Sequence, residues 1–230
     1  DLLDHWHGVC VWGLTVSRVP VSASEPHRWR AMYARMMRFA TLAASLLCGF
    51  AFAQPEPDRE QAARLMNELM SGKAAVGTPF TLTNQHGKKT SLADFRGKLV
   101  LLYFGYTTCP DICPTDLATM AQAIESLGPQ GAQVQPVFIT LDPARDTREL
   151  LRNYARAFHP RIAALSGSEA EIRRIATAYK VYFEKSTPAN SKVYLIEHTA
   201  FTFLLDRDGK YRMFFPPGTP PQRMVTQLRE

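Results

Sequence analysis

The run KLVLLYFGY at 98–106 shows no alternation of polar and apolar residues, so it reads as a strand buried on both faces. It leads directly into TTCPDICPTDL, where Cys109 and Cys113 stand four positions apart, each followed by proline. A helical pattern then runs through Leu117, Met120, Ala121, Ile124 and Leu127, with Pro114 suited to the first turn and Gly128 to the stop. A fold must therefore place two thiols where a central strand ends and a helix begins.

The rest of the chain alternates in the same way. VQPVFITLD, 134–142, is a second buried strand; DPARDT leads into a helix from Thr147 to Phe158; IAALSG, a helix near 169–179 and VYFEK follow. FTFLLDRDGKYRMFF reads as a hairpin turning at Asp208-Gly209 before a last helix over Gln222–Leu228, and PFTLTNQHGKKTSL upstream reads as another hairpin. The expected class is α/β, with a mixed central β-sheet, helices on both faces and an N-terminal β-hairpin extension. The order of strand, Cys pair, helix, long excursion, hairpin and helix is the thioredoxin scheme with insertions.

The N-terminal region has a different character. Residues 1–35 show neither helical nor strand periodicity and are expected to be an untranslated or upstream extension. From Met36 the text MMRFATLAASLLCGFAFAQ combines nearby arginines, an apolar run and a small-x-small site at Ala51-Phe52-Ala53. Residues 36–53 are therefore expected to be a signal peptide or short membrane anchor, the run being shorter than a bilayer span requires. Residues 54–78 are expected to be a tether and a lead-in helix with Ala63, Leu65, Met66, Leu69 and Met70 on one side, and 79–230 the single thioredoxin-like domain. The formal net charge of +6 is spread without a basic run of five, which argues against a nucleic-acid partner.

Cys10 and Cys48 lie in the segments expected to be lost, leaving Cys109 and Cys113. In an oxidising compartment a close pair is either a disulfide or a metal site. A position at a helix N-terminus favours thiolate, and a spacing of four places both residues on one helical face. A structural disulfide closing so short a loop constrains the unfolded chain little. In the thioredoxin scheme the loop before the hairpin strand returns over the Cys pair; here that loop is LIEHTAFTFLLD, 195–206, which brings His198 to face the thiols. Two thiolates and one imidazole suit copper, since soft sulfur holds Cu(I) and imidazole helps hold Cu(II), while the low ligand number disfavours structural zinc.

The segments YFGYTTCPDICPTDL, QPVFITLDPARDT, AFHPR (157–161) and EHTAFTFLLDRDG together resemble the Sco/SenC proteins, from about Pro79 to the C-terminus. The resemblance implies a thioredoxin-like domain in the periplasm or on the outer face of the bacterial inner membrane, with copper held by Cys109, Cys113 and His198. It implies a copper chaperone for the binuclear copper centre of cytochrome c oxidase subunit II or a related copper protein, supplied by other periplasmic copper chaperones and working as a monomer. It also implies thiol-disulfide oxidoreductase activity through the same Cys pair. Two departures stand out: Glu197 precedes the His where the family has Asp, and the N-terminal anchor is short for the family.

The main rival is a periplasmic thiol-disulfide oxidoreductase, but such enzymes use CxxC opposite a proline, whereas this chain has CxxxC and His198-Thr199-Ala200. A copper- or redox-responsive sensor would carry the same ligands. In the redox reading Cys109, nearer the strand end, is the expected attacking sulfur. Phe104, Tyr106 and Phe201 are expected to wall the site, against a reading as ordinary core. Asp111 is a turn former or a ligand-orienting group, Asp146 the cap of the helix from Thr147, and Asp142 part of the strand-ending turn, with Arg145 divided between that turn and partner docking. His86 and His159 are expected at the surface, and Phe214, Phe215, Pro216 and Pro217 either pack in the hairpin or form an exposed lip.

Overall fold

The structure, a computed structural model, describes residues 59–71, 75–189 and 193–230. The expected extension and the signal or anchor segment lie outside the described residues. Helix α1, Arg59–Met70, opens the described chain. It was expected to pack through one whole face, yet Leu69 is buried while Ala63, Met66 and Met70 stay exposed. Its last turn makes the contact with the core, where the Tyr211 hydroxyl donates to the Leu69 carbonyl at 2.8 Å.

The upstream hairpin forms as expected from β1, Thr81–Asn84, and β2, Lys89–Ser91. Asn84 closes its turn by accepting, through Oδ1, from the amides of His86 and Lys88. The apolar run becomes β3, Leu99–Gly105, buried at every position. It pairs in parallel with β4, Val134–Thr140, from Leu99↔Val134 to Gly105↔Thr140, and antiparallel with β8, Thr202–Leu205. Strand β5, Ala163–Ser166, extends the sheet beyond β4, and β9, Tyr211–Phe215, closes the other edge after a turn in which Gly209 takes φ +81°. Among the described residues the sheet has seven strands in the order β2-β1-β5-β4-β3-β8-β9.

Successive residues of β3 point to opposite faces, which fixes what each layer touches. Tyr103 stacks with Phe138 and faces helix α2, Ile112–Ser126, whose buried Leu117, Met120, Ala121 and Ile124 follow the helical period. Phe104 points the other way, against Tyr179 just after helix α4, Glu169–Ala178, and against Phe203 of β8. Helix α3, Arg148–Phe158, lies on the Tyr103 side, where Tyr154 meets Phe138, and α5, Pro221–Arg229, packs against α2. The mixed sheet with helices on both faces is thus as expected.

One element was not anticipated. Residues 195–198, read as a loop, form strand β7, Leu195–His198, which pairs antiparallel with β6, Phe183–Ser186, in a ribbon separate from the main sheet. Four residues of ordinary composition between turn-rich flanks carry too little pattern to announce a strand.

Candidate metal centre

The carbonyl end of β3 delivers Cys109, and its amide donates back to the Tyr106 carbonyl at 3.2 Å, tying the loop to the strand. Cys113 is the second residue of α2 and is completely buried, whereas Cys109 is partly exposed; both are free thiols. His198, at the end of β7, brings Nε2 to 3.4 Å from the Cys113 sulfur. Its Nδ1 lies 3.2 Å from the Thr199 carbonyl. A carbonyl oxygen can only accept, so Nδ1 carries a proton and donates to it, which leaves Nε2 turned toward the sulfurs.

The Cys109 thiol is pulled down to about 3 by a hydrogen bond from Cys113, opposed by burial and helped by His198 and by the amides of Asp111 and Cys113. Cys113 moves the other way, first because it holds the shared proton against Cys109 and then because it is buried. The resting pair is therefore one thiolate at the mouth and one thiol beneath it. Behind Cys113, the Tyr103 hydroxyl and Asp116 Oδ2 are buried close together without a hydrogen bond of good geometry. Burial raises the pKa of both and so weakens them as acids, and the neighbouring Cys113 sulfur raises that of Tyr103 further.

Among the described residues Cys109, Cys113 and His198 form the one cluster of three metal-ligating side chains, their donor atoms all within 4.8 Å of one another. Donors bound at about 2.0–2.3 Å to one ion lie no more than about 4.6 Å apart, so a shift of a few tenths of an ångström closes the set around a metal. Two soft sulfurs and one imidazole fit copper better than a hard cation.

The walls differ from expectation. Tyr106 does flank the site, edge-on to His198 at 6.1 Å between ring centroids. Phe104 faces the opposite layer, and Phe201 stacks on Phe214 at 4.4 Å and meets Phe203. The second wall is Tyr103, edge-on to His198 at 6.3 Å, a residue not singled out from the sequence. Strand parity could have found it: Tyr103 and Gly105 share the face toward the Cys pair, and Phe104 does not. Gly105 was missed too, although glycine inside a buried strand signals close approach; a Cβ there would sit 2.8 Å from the Cys113 sulfur. Asp116 is three residues after Cys113 and so on its helical face.

The acidic turn after β4 is also redrawn. Thr147, not Asp146, caps α3, accepting from the Leu150 amide at 3.2 Å. Asp146 is buried and instead accepts from the Thr107 amide at 3.0 Å, the Thr107 hydroxyl at 2.6 Å and the Thr140 hydroxyl at 2.5 Å. Arg145 bonds Asp142 and lies 3.7 Å from the Tyr194 ring centroid, an engaged position that does not suit partner docking. Asp111 is exposed at the α2 N-cap without a side-chain cap bond. His86 is exposed as expected, but His159 is buried at the end of α3, where its Nδ1 accepts from the Arg161 amide. Phe214 and Phe215 pack into the core and Pro216 and Pro217 are exposed, in keeping with hairpin packing.

Comparison with known proteins gives a consistent picture. The family model described as SCO1/SenC matches residues 68–230. An SCO2-like protein of Rickettsia prowazekii is 40% identical over 148 residues, covering 64% of this chain and 72% of the relative. The copper-bound structure of Bradyrhizobium japonicum ScoI is 39% identical, covers 67% of this chain and 98% of its own, and superposes with a TM-score of 0.62. The structure of BsSco, reported with a disulfide switch and as a member of the Sco family of cytochrome c oxidase assembly proteins, is 26% identical, covers 67% and 92%, and gives a TM-score of 0.56.

Proposed function

The chain belongs to the SCO1/SenC family, and from that premise we propose that it is a copper chaperone that binds one copper ion through Cys109, Cys113 and His198 and serves cytochrome c oxidase assembly. The observation that carries this reading is the convergence of two sulfurs and one imidazole nitrogen, from two segments distant in the chain, within 4.8 Å. Copper is the cargo. The half-exposed Cys109 thiolate meets the incoming ion first; the buried Cys113 then gives up its proton and becomes the second sulfur ligand, and Nε2 of His198 completes the set. Release reverses this order, with a target ligand replacing Cys109 at the open side.

The recipient in this reading is the binuclear copper centre of oxidase subunit II or a related copper protein, the donors are other copper chaperones of the same compartment, and the protein acts as a monomer. Its place is the periplasm or the outer face of the inner membrane, supported by the arginine-flanked apolar run before Ala53. Among the described residues no helix is long and apolar enough to cross a membrane.

A second reading rests on the contrast between the two thiols. The Cys109 thiolate would attack one sulfur of a target disulfide, forming a mixed disulfide and expelling the target's other sulfur as thiolate. Cys113, after losing its proton, would attack the Cys109 sulfur, leaving the target reduced by two electrons and a Cys109–Cys113 disulfide behind. Copper titration of the reduced protein separates the two. One equivalent bound tightly, and weakened more than about 100-fold by His198→Ala with disulfide exchange retained, supports the chaperone. A copper-indifferent protein with rapid exchange makes CPDIC a redox motif alone.

A further inference from the structure

The three donors stand on two different supports. The sulfurs belong to the β3–α2 junction of the main fold, whereas His198 ends the β6–β7 ribbon, which is not part of the main sheet. Something must set the distance between ribbon and junction, and the Asp142–Thr147 turn after β4 touches both.

On the thiol side, buried Asp146 takes both the amide and the hydroxyl of Thr107, two residues before Cys109. It also takes the Thr140 hydroxyl, and Thr140 Oγ1 in turn accepts from the amide of Asp142 at 2.9 Å. On the imidazole side, fully buried Asp142 holds Arg145 through Oδ2 and accepts from the Tyr194 hydroxyl at 2.9 Å through Oδ1. Arg145 Nη1 donates to the Tyr194 carbonyl at 2.9 Å while the guanidinium covers the Tyr194 ring. Tyr194 immediately precedes β7. The Tyr106 hydroxyl adds one more tie, accepting from the Ile196 amide at 3.2 Å. A planar fork that stacks and donates at once is a task lysine cannot perform.

We propose that Arg145, gripped by Asp142 and gripping Tyr194, is a positioning residue for the copper site, bracing the ribbon so that His198 stays within reach of the two sulfurs. The inference rests on the copper reading above. Its chemical consequence is selective: two thiolates alone suffice for Cu(I), while Cu(II) depends on the imidazole. The brace therefore governs retention of Cu(II) far more than of Cu(I).

The test compares wild type, Arg145→Gln, Arg145→Lys and Tyr194→Phe in the reduced full chain, titrated separately with Cu(I) and Cu(II), with the Cu(II)–thiolate absorption band and thermal melts recorded in parallel. Arg145→Gln is expected to weaken Cu(II) about 10- to 100-fold and shift the absorption band. Cu(I) affinity falls by less than about threefold. Arg145→Lys does not restore the wild-type spectrum, and Tyr194→Phe, which keeps the ring but loses the bond to Asp142, moves the same readouts less. Wild-type Cu(II) spectra and affinities in both Arg145→Gln and Tyr194→Phe overturn the proposal. So does an equal loss for both oxidation states that tracks the drop in melting temperature, which marks a merely structural role. A wild-type protein that binds neither form overturns the copper reading itself, and the brace with it.

Discussion

Replacing Gly105 by alanine asks the site to accept one methyl group where the structure leaves no room. The added Cβ would lie 2.8 Å from the Cys113 sulfur, 3.0 Å from the Phe138 ring and 3.0 Å from the Tyr103 ring. Ordinary contacts between such atoms are about 3.5–4.0 Å, so each neighbour must retreat by roughly 0.5–1.2 Å. None can do so freely, because Cys113, Phe138 and Tyr103 are all at most 1% exposed. Moreover, β3 is held on both sides, in parallel with β4 and antiparallel with β8.

Overpacking of this kind costs about 1–3 kcal/mol. For a domain of this size each kcal/mol lowers the melting temperature by about 2–4 °C, so a fall of roughly 2–12 °C is expected. The functional effect should exceed the stability effect. A sulfur displaced by about 1 Å moves by almost half a metal–sulfur bond of about 2.3 Å, which breaks the fit of the three-donor set. Thermal melting and copper titration of Gly105→Ala beside wild type measure the two effects. If the variant melts and binds copper like wild type, the close approach of β3 to Cys113 is not what gives this position its glycine, and the steric argument is wrong.

Other outcomes follow from the same geometry. Because the Cys109 pKa is drawn far below the usual thiol range by its Cys113 and His198 partners, its alkylation by iodoacetamide should be nearly constant from pH 8 to pH 5, where an ordinary cysteine slows roughly a thousandfold; a tenfold fall per pH unit would falsify the thiolate assignment. The sign for stability is that of a depressed acid: the Cys109 contribution is complete above the ordinary thiol range, near pH 9, and is lost as the pH falls toward 3. Cys109→Ser and Cys113→Ser should each abolish both copper binding and disulfide exchange, and a variant that keeps either at full rate shows that the pair does not act as a unit. Asp146→Asn supplies one acceptor oxygen where the carboxylate oxygens take three donors, so urea denaturation should reveal a loss of about 1–3 kcal/mol; an unchanged midpoint would mean the Thr107 and Thr140 bonds are replaceable.

The sequence made the strands legible where burial on both faces left no alternation, as in 98–106 and 134–142, and the helices where apolar spacing was regular, as in 117–127. It also placed Cys109, Cys113 and His198 together, because two lie in one short motif and chain order carries the third back to them. What it hid depends on orientation and on the third dimension. Phe104 and Tyr103 are adjacent large aromatics, and nothing in composition says which faces the thiols until the Cys pair is assigned to a side of the sheet. Asp146 looked like a helix cap because it adjoins the helix start, but Thr147 offers the same acceptor one residue closer, which frees Asp146 to turn inward to Thr107. Arg145 looked available to a partner because its ring partner, Tyr194, lies 49 positions away.

These long-range ties give the centre its division of labour. Cys113 is fixed in the first turn of a helix packed on a fully buried strand, and the loop that carries Cys109 is tied to the end of that strand by the Cys109 amide bond to the Tyr106 carbonyl. The imidazole is fixed by side chains, through Tyr106, Arg145 and Tyr194, and each of these bonds can be lost without unpairing the main sheet. A carrier needs such an arrangement: a site rigid in every ligand would hold its ion but yield it slowly, and one loose in every ligand would not discriminate. In the copper carrier proposed above, an imidazole ligand on a braced ribbon would let the affinity change through one donor while the Cys pair kept its geometry for the next exchange.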